Sequence, residues 1–560
     1  MNNQIDLNAN ISDSKDNTGI ITQDIEENRT DEKIDTKNSE LKESDQEIKE
    51  ENIEEEKPKK TSDRDLALKY IEENFDYYMN NDGSIYWGEK GTGIVKQDKK
   101  LILDEIINLS VMGRPIRRDH AESAMNLKEI ELIKDIEKNR KKRKDILPRL
   151  YVKNDIIEED KKKIKTKTTW IDPNDPTTGF IKINEDTSWS LERKPEKGVI
   201  FQRNSVLQPM PVKPAGLETL IDLFNELNIP EDMKIPTLSW VITRIVSPGT
   251  ACPILLISGE AGSGKTTTAR RLKTLLDPSI SDTSSITTDE ERISLMLGVR
   301  SSIVWDNVTS ISQKLSDILC RIVTGGAYEA RTLYTNQDIT TLEYMRSQII
   351  TCVDVPPMKE DLRTRTVFIE APKIKNEYKD EYEINKEWEE KVPYFRGAII
   401  TLIAEVIADL KENKELYTAN GRLTTYLKTV QSVENVLKNN DIKIGKGDPL
   451  NNIKEKNDTL QESSLPDIIN FMIDTPEVKE LEGSSQRILA HITNIAKEIG
   501  YNTSRWGSNG NWMVIVLKEN MKILEKYFHI ENKKVRRRSY WTIEKKEQEE
   551  TLDDYMDTIV

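Results

Sequence analysis

Apolar positions are not spread evenly along this chain; they come in blocks whose spacing changes from one block to the next. Residues 1–60 contain almost no aromatic or consecutive apolar positions, so no buried face can be drawn on them. From Asp65 a helical spacing begins with Leu66, Tyr70 and Ile71 and runs on to Phe75–Tyr78. Asn81-Asp82-Gly83 is a turn signal, and Ile85–Trp87 follows it as a short strand. Leu101–Met112 predicts a second helix. Residues 126–167, with basic clusters at Arg140–Lys144 and Lys161–Lys167 between acidic ones, read as exposed helix or linker. Trp170, Phe180, Ile181, Ile183, Trp189, Val199, Ile200 and Phe201 recur in short runs broken by Pro and Gly, which predicts a small β meander over 168–212.

Over 215–372 the pattern alternates between helical spacing and short continuous apolar runs, as in a mainly parallel α/β sheet. Leu217–Leu227 predicts a helix. Pro253–Ser258 is apolar throughout, as expected of a strand buried on both faces, and Ser302–Trp305, Gln348–Cys352 and Thr366–Ile369 repeat the pattern. Helices are predicted at Phe395–Lys411 and Thr424–Leu437. Residues 441–469 are polar and read as a linker. In the last unit, 470–545, Ser484–Ile499 and Leu517–Phe528 predict helices. Val535–Ile543 alternates basic, aromatic and apolar residues like a strand of a hairpin. The resulting division is an acidic disordered tail (1–60), a helical region with a basic linker (61–167), the β region (168–212), an α/β core with a helical lid (213–440), the linker, a C-terminal unit resembling a winged helix, and a frayed tail (546–560).

Composition changes this picture little. Hydrophobic residues make up 36% and charged residues 32% of the 560, and much of the formal charge of −15 sits in the N-terminal tail. No apolar run reaches the length of a membrane span and the N-terminus lacks the pattern of a secretory signal, so a cytoplasmic, membrane-free protein is expected. Cys252, Cys320 and Cys352 are isolated and lie in apolar surroundings, as reduced core thiols do. Neither they nor His120, His491 and His529 have zinc-ligand spacing.

The candidate chemistry lies between the first core strand and the helix after it. Gly259-Glu260-Ala261-Gly262-Ser263-Gly264-Lys265-Thr266 fits G-x-x-x-x-G-K-[ST]. Glycines let successive backbone N–H groups turn inward around phosphates, and the helix N-terminus adds partial positive charge. Lys265 would reach the β- and γ-phosphates of ATP, and the Thr266 hydroxyl would ligate Mg²⁺. A carboxylate at the end of a second buried strand should complete the site. Asp306, after Ser302–Trp305 and about forty residues beyond Lys265, is that candidate and the second Mg²⁺ residue. The residue after it is Asn307, whose amide can orient water but cannot accept a proton. Thr351 ends the apolar run Ile349-Ile350-Thr351 on a hydroxyl.

From Leu319 onward, Cys320-Arg321-Ile322-Val323-Thr324-Gly325-Gly326, then Arg331-Thr332-Leu333-Tyr334 and Asp361-Leu362-Arg363-Thr364-Arg365, resemble the segments of superfamily 3 helicases. The order is similar to that of ATPases of phages, plasmids and integrative elements described as primase-helicase-like proteins, over about residues 215–440. The resemblance implies a P-loop NTPase core of the AAA+-like kind and a ring, hexameric in relatives, that moves along single-stranded DNA at the expense of ATP. It implies Arg365 as the arginine finger reaching a neighbour's γ-phosphate, with Arg363 as the alternative, and Arg331 on the segment that faces DNA. Such enzymes usually carry a Glu at the position of Asn307 and, as γ-phosphate sensor at the end of the fourth strand, an Asn; the resemblance implies Thr351 as the sensor here. Arg536, Arg537 and Arg538, beside Tyr540 and Trp541, add a candidate DNA contact, with a charged solvated edge strand as the alternative. The expectation is a helicase-like motor for replication of a mobile element. The alternatives are a nucleotide-dependent assembly or switch ATPase without unwinding, and a P-loop small-molecule kinase.

Overall fold

A computed structural model describes residues 62–80, 83–108, 115–139, 146–159, 162–331, 339–343, 345–374, 380–413, 415–419, 422–504, 506–535 and 538–546. The acidic tail, the C-terminal tail, Arg140–Lys144, Arg536 and Arg537 lie outside these residues.

The N-terminal part opens with helix α1 (Asp63–Asn74). Ser62 caps it by accepting from the Asp65 N–H, and the Asp65 carboxylate reaches back to Ser62. Strands β1 (Phe75–Met79) and β2 (Ile85–Glu89) form an antiparallel hairpin pairing Tyr77 with Trp87. β3 (Ile94–Val95), α2 (Lys99–Asn108) and α3 (Arg118–Lys138) follow, and Ile71, Phe75, Trp87, Ile106 and Met125 share one core. Next, β4 (Leu150–Glu159), β5 (Lys162–Asp175), β6 (Gly179–Ile183) and β7 (Trp189–Glu192) make a four-stranded antiparallel sheet, while β8 (Phe201–Gln202) pairs with β3. The expected exposed helix or linker over 126–167 is therefore only partly helical. α3 ends at Lys138, and the Lys161–Lys167 stretch belongs to β5 from Lys162 onward. The alternation of Ile164, Thr166, Thr168 and Trp170 with Lys163, Lys165 and Lys167 is a period of two hidden behind the charge.

The core begins with α4 (Thr219–Asn225) and α5 (Lys234–Val246), the latter buried almost all round. It continues with β9 (Ile254–Ser258), α6 (Lys265–Leu276), α7 (Glu290–Val299), β10 (Ser302–Trp305) and α8 (Gln313–Thr324). The antiparallel pair β11 (Ala327–Arg331) and β12 (Ile339–Glu343) leads to β13 (Ser347–Thr351), α9 (Glu360–Arg363) and β14 (Thr366–Glu370). The sheet order is β10-β13-β9-β14, all parallel. Both faces are covered: Leu255, Ile257, Val304 and Ile349 face the cluster shared with α5 and the later helices, and Ile254, Leu256, Ile303 and Ile350 face that of α7 and α8. Strands buried on both faces must read as unbroken apolar runs, which is why these four were visible in the sequence.

Helix α10 (Glu381–Asn413) starts well before the expected Phe395. Pro393 reads as a helix start but lies inside it, and its carbonyl accepts from the Lys213 N–H. α11 (Thr424–Asn439) follows. The expected linker, 441–469, instead contains α12 (Pro449–Ser463). Ile453 and Leu460 are its buried apolar residues, and Asn452 donates to the carbonyls of Asp232 and Lys446. So few apolar positions among Asn, Lys and Glu concealed its helical period.

The C-terminal unit comprises α13 (Asp467–Asp474), β15 (Glu480–Ser484), α14 (Ser485–Glu498), α15 (Gly510–Glu519), α16 (Met521–Tyr527), β16 (Phe528–Val535) and β17 (Arg538–Lys545). Its sheet runs β15-β17-β16, antiparallel, over a core of Ile468, Phe471, Leu489, Leu517 and Trp541. The helix expected at Leu517–Phe528 is two helices that part at Asn520, and the strand expected at 535–543 takes in the last residue of β16 and the start of β17, with Arg536 and Arg537 outside the described residues. The chain is a mixed α/β protein with a parallel central sheet. Among the described residues no helix is long and apolar enough to cross a membrane.

Candidate functional site

Parallel strands deliver their C-terminal ends to one edge of the sheet, and there the loop from β9 to α6 lies beside the ends of β10 and β13. Gly259, Gly262 and Gly264 all have positive φ (150°, 81° and 69°). At Gly259 a Cβ would also stand 2.9 Å from the Ala371 carbonyl oxygen and from Ser263 Oγ. The turn therefore requires glycine for conformation and for space. Lys265 Nζ curls over the loop and donates to the carbonyls of Gly259 and Glu260, both at 2.7 Å.

Three polar side chains converge from three elements. Thr266 Oγ1, on the first turn of α6, donates to Asp306 Oδ1 at 2.8 Å. Thr351 Oγ1, at the end of β13, donates to the same oxygen at 2.6 Å and accepts from the Asn307 N–H at 2.8 Å. Asn307 has φ 54°, a left-handed conformation that Asn tolerates better than most residues. The structure thus brings Lys265, Thr266, Asp306, Asn307 and Thr351 together around the loop 259–264. It places them so because β13 lies between β9 and β10, which puts Thr351 next to both.

Sequence reasoning missed Asn228. Its side-chain amide donates to the Ser263 carbonyl at 2.8 Å and to the Pro372 carbonyl at 2.7 Å, tying the loop to the segment after β14. A lone Asn ahead of Ile-Pro carries no pattern that would have revealed this. Glu260 is exposed and pairs with Lys373 at 2.9 Å. Cys352, next to Thr351, has its thiol pushed up to about 12 by burial and is no nucleophile at neutral pH.

Arg365 does not join this group. It immediately precedes β14, and its carbonyl accepts from the Ile254 N–H at the opposite end of β9. Four strand steps, about 13 Å, separate Ile254 from Ser258. Its guanidinium contacts Asp361 at 3.2 Å and 3.3 Å. Arg363, the alternative, is buried and donates to the Met358 carbonyl at 2.8 Å, so it holds the turn rather than facing outward. Arg331 ends β11 opposite Ile339, and Arg538 begins β17; the side chains of both lie outside the described residues.

An open cleft of about 1320 Å³ lies between the loop and the C-terminal unit. Glu260, Asn307, Asp354, Trp512 and Glu519 are among the residues lining it.

Residues 217–435 match the family described as actinomycete integrative conjugative element replication protein. That stretch coincides with the one over which the resemblance to mobile-element ATPases was read. No curated protein matches the chain. Among solved structures the chain is similar to the SCCmec type IV Cch active helicase, with 12% identity, 84% of this chain and 90% of that chain covered, and a TM-score of 0.38. It is similar to the apo NrS-1 C-terminal region, with 11% identity, 86% and 98% covered and a TM-score of 0.30. The third is a JCV helicase, with 15% identity, 40% and 68% covered and a TM-score of 0.19.

Proposed function

We propose that this chain is an ATP-hydrolysing, helicase-type motor for the replication of a mobile genetic element, whose core is a P-loop NTPase. The observation that carries the reading is the glycine loop closed between β9 and α6, with Thr266 and Thr351 both hydrogen-bonded to the Asp306 carboxylate. The residues fit a nucleotide with Mg²⁺: a cradle that a Cβ at Gly259 would fill, an ammonium folded over it, and a hydroxyl paired with a carboxylate. When bound, Mg²⁺ would neutralise charge between the β- and γ-phosphates. The backbone N–H groups of 259–264 would hold the phosphates, Lys265 would turn from the loop carbonyls to them, and Thr266 and Asp306 would hold the metal. Asn307 would orient the attacking water, and Thr351 would keep Asp306 and Asn307 in register.

The replication context comes from the family matched by 217–435. Ring assembly, hexameric as the resemblance implies, is supported by the position of Arg365. At the far end of the sheet it cannot serve its own loop, whereas it can serve a neighbour's. The C-terminal unit reads as a winged helix, since its order is helix, strand, three helices and two strands, with the first strand paired to the last. Its Arg536, Arg537 and Arg538 would contact DNA phosphates.

A second reading, a nucleotide switch without unwinding, is favoured by Asn307, an amide where a general base would stand, and by the Thr351 hydroxyl already committed to Asp306. Nucleotide binding and hydrolysis by the full chain and by Lys265→Ala test the core reading. Hydrolysis in the first and not in the second is expected. Equal rates in two folded proteins would remove the loop from the mechanism.

A further inference from the structure

A second cavity, of about 80 Å³, lies where α6 ends and β10 and β13 begin, at the edge of the sheet away from the glycine loop. Leu147, Leu150 and Ile171 reach it from the β meander, and Trp240, Ile245 and Leu272 from α5 and α6. At about 30 Å³ for a water molecule it has room for a few small groups and none for a nucleotide.

Its charged lining is one-sided. Arg149, Arg244, Lys273 and Arg346 stand on it against one carboxylate among the described residues, that of Asp277. Asp277 is already engaged. Its Oδ1 accepts from Arg149 Nε at 3.1 Å, and its Oδ2 accepts from the N–H groups of Ser301 and Ser302, both at 2.9 Å. Asp282 adds a carboxylate oxygen 3.6 Å from Lys273 Nζ, but Arg300 adds another cation just before Ser301. Burial pushes the Lys273 ammonium below its usual range; Asp277 and Asp282 oppose the shift, and Arg300 and Arg149 add to it. Arg300 Nε is buried without a hydrogen-bond partner among the described residues.

Two of the cations meet on one oxygen. Arg244 Nη2 donates to the Met345 carbonyl at 2.6 Å, and Arg346 Nη1 donates to the same carbonyl at 3.0 Å. Arg346 is 5% exposed, and its Nε also donates to the carbonyls of Leu297 and Arg300. Holding carbonyls accounts for either arginine alone. It does not account for two like charges side by side at the wall of a hollow, where the exclusion of water strengthens their repulsion. An anion relieves that repulsion, and guanidinium forks match the geometry of a carboxylate. The apolar walls favour an anion that carries a hydrocarbon part.

We propose that this cavity binds a short-chain aliphatic carboxylate, whose head meets Arg244 and Arg346 and whose chain lies against Trp240, Ile245 and Leu272. The site is separate from the glycine loop and does not depend on what that loop binds.

The test uses the full chain, with propionate as the probe. The thermal midpoint is followed over rising propionate, with ionic strength held constant by chloride, and over rising 1-propanol, which has the same carbon chain without the charge. Propionate should raise the midpoint saturably, with half the effect at about millimolar concentration, as so small a ligand allows. 1-Propanol and chloride should not. Arg244→Gln removes one fork, and Val241→Phe fills the hollow from α5; each should weaken the propionate response about tenfold or more. If one variant does not fold, the other decides. A response that 1-propanol or chloride shares, that never saturates, or that both folded variants keep unchanged overturns the proposal. So does the lack of any response in the wild type, which would leave the hollow to water.

Discussion

At the scale of single residues, the proposed site divides into groups that would hold phosphate and groups that would hold metal. Lys265 directs its ammonium to two carbonyls of its own loop, both at 2.7 Å. Lys265→Ala should therefore abolish hydrolysis while leaving the thermal midpoint in place, as calorimetry beside an ATPase assay would record. Asp306 is different in kind, because its charge would act on Mg²⁺ whereas the loop amides would bind the phosphates. Asp306→Asn should cut kcat by more than about tenfold and change nucleotide affinity by less than about threefold. An equal loss of both, with a misfolded protein, would make Asp306 structural. The glycine loop and Asp306 were legible in the sequence because each follows a buried strand that reads as an apolar run. Asn228 was not, because its partners lie 35 and 144 residues away and no local spacing encodes such pairs.

At the scale of elements, two segments that read as polar connections are built into the fold. β4 and β5 continue the meander backward to Leu150, and Arg149, just before β4, anchors it to the core. Arg149 has φ 63°, and its buried Nε pairs with Asp277 Oδ1 at 3.1 Å. Its terminal nitrogens donate to the carbonyls of Asp172, Pro173, Gln208 and Pro278. Asp277 ends α6, the helix that begins at the glycine loop, and also accepts from the N–H groups of Ser301 and Ser302. Arg149→Ala would leave the buried Asp277 carboxylate with only the Lys273 ammonium, 3.9 Å away, and strip four carbonyls of their donor, and should cost about 3–5 kcal/mol in denaturant unfolding. A change below about 1 kcal/mol would mean that water replaces the guanidinium. α12 gives a parallel test. Leu460 is fully buried, so Leu460→Ala should destabilise by about 2–5 kcal/mol; a free linker would not notice the change. Both segments were misread for the same reason: charge and amide side chains outnumber the few positions that carry the period.

At the scale of the whole molecule, the sheet separates the loop of one copy from its own Arg365, so activity should depend on assembly. Arg365→Ala is expected to be inactive alone and to regain part of its activity when mixed with Lys265→Ala. A monomer at working concentration whose activity never returns on mixing would end the ring model. The C-terminal unit has its own core, which includes Leu465 and Ile468 of the segment that read as linker. Truncation should therefore follow Ser464 rather than fall inside the unit. The shortened chain should keep basal hydrolysis and lose DNA affinity. Replacing Arg536, Arg537 and Arg538 with Gln in the full chain should flatten the salt dependence of DNA binding by up to about three counterion units. An unchanged slope would shift the DNA contacts to the segment of Arg331 or to the basic face of β5.

The central claim is that nucleotide turnover at the glycine loop drives movement along DNA. Displacement of a labelled strand from a forked duplex, with ATP and Mg²⁺, by the full chain and by Lys265→Ala tests it most directly. Displacement is expected by the first, none by the second, and none for either when a non-hydrolysable analogue replaces ATP. Hydrolysis without displacement, on DNA that the protein demonstrably binds, would contradict it and leave the nucleotide switch as the function of this site.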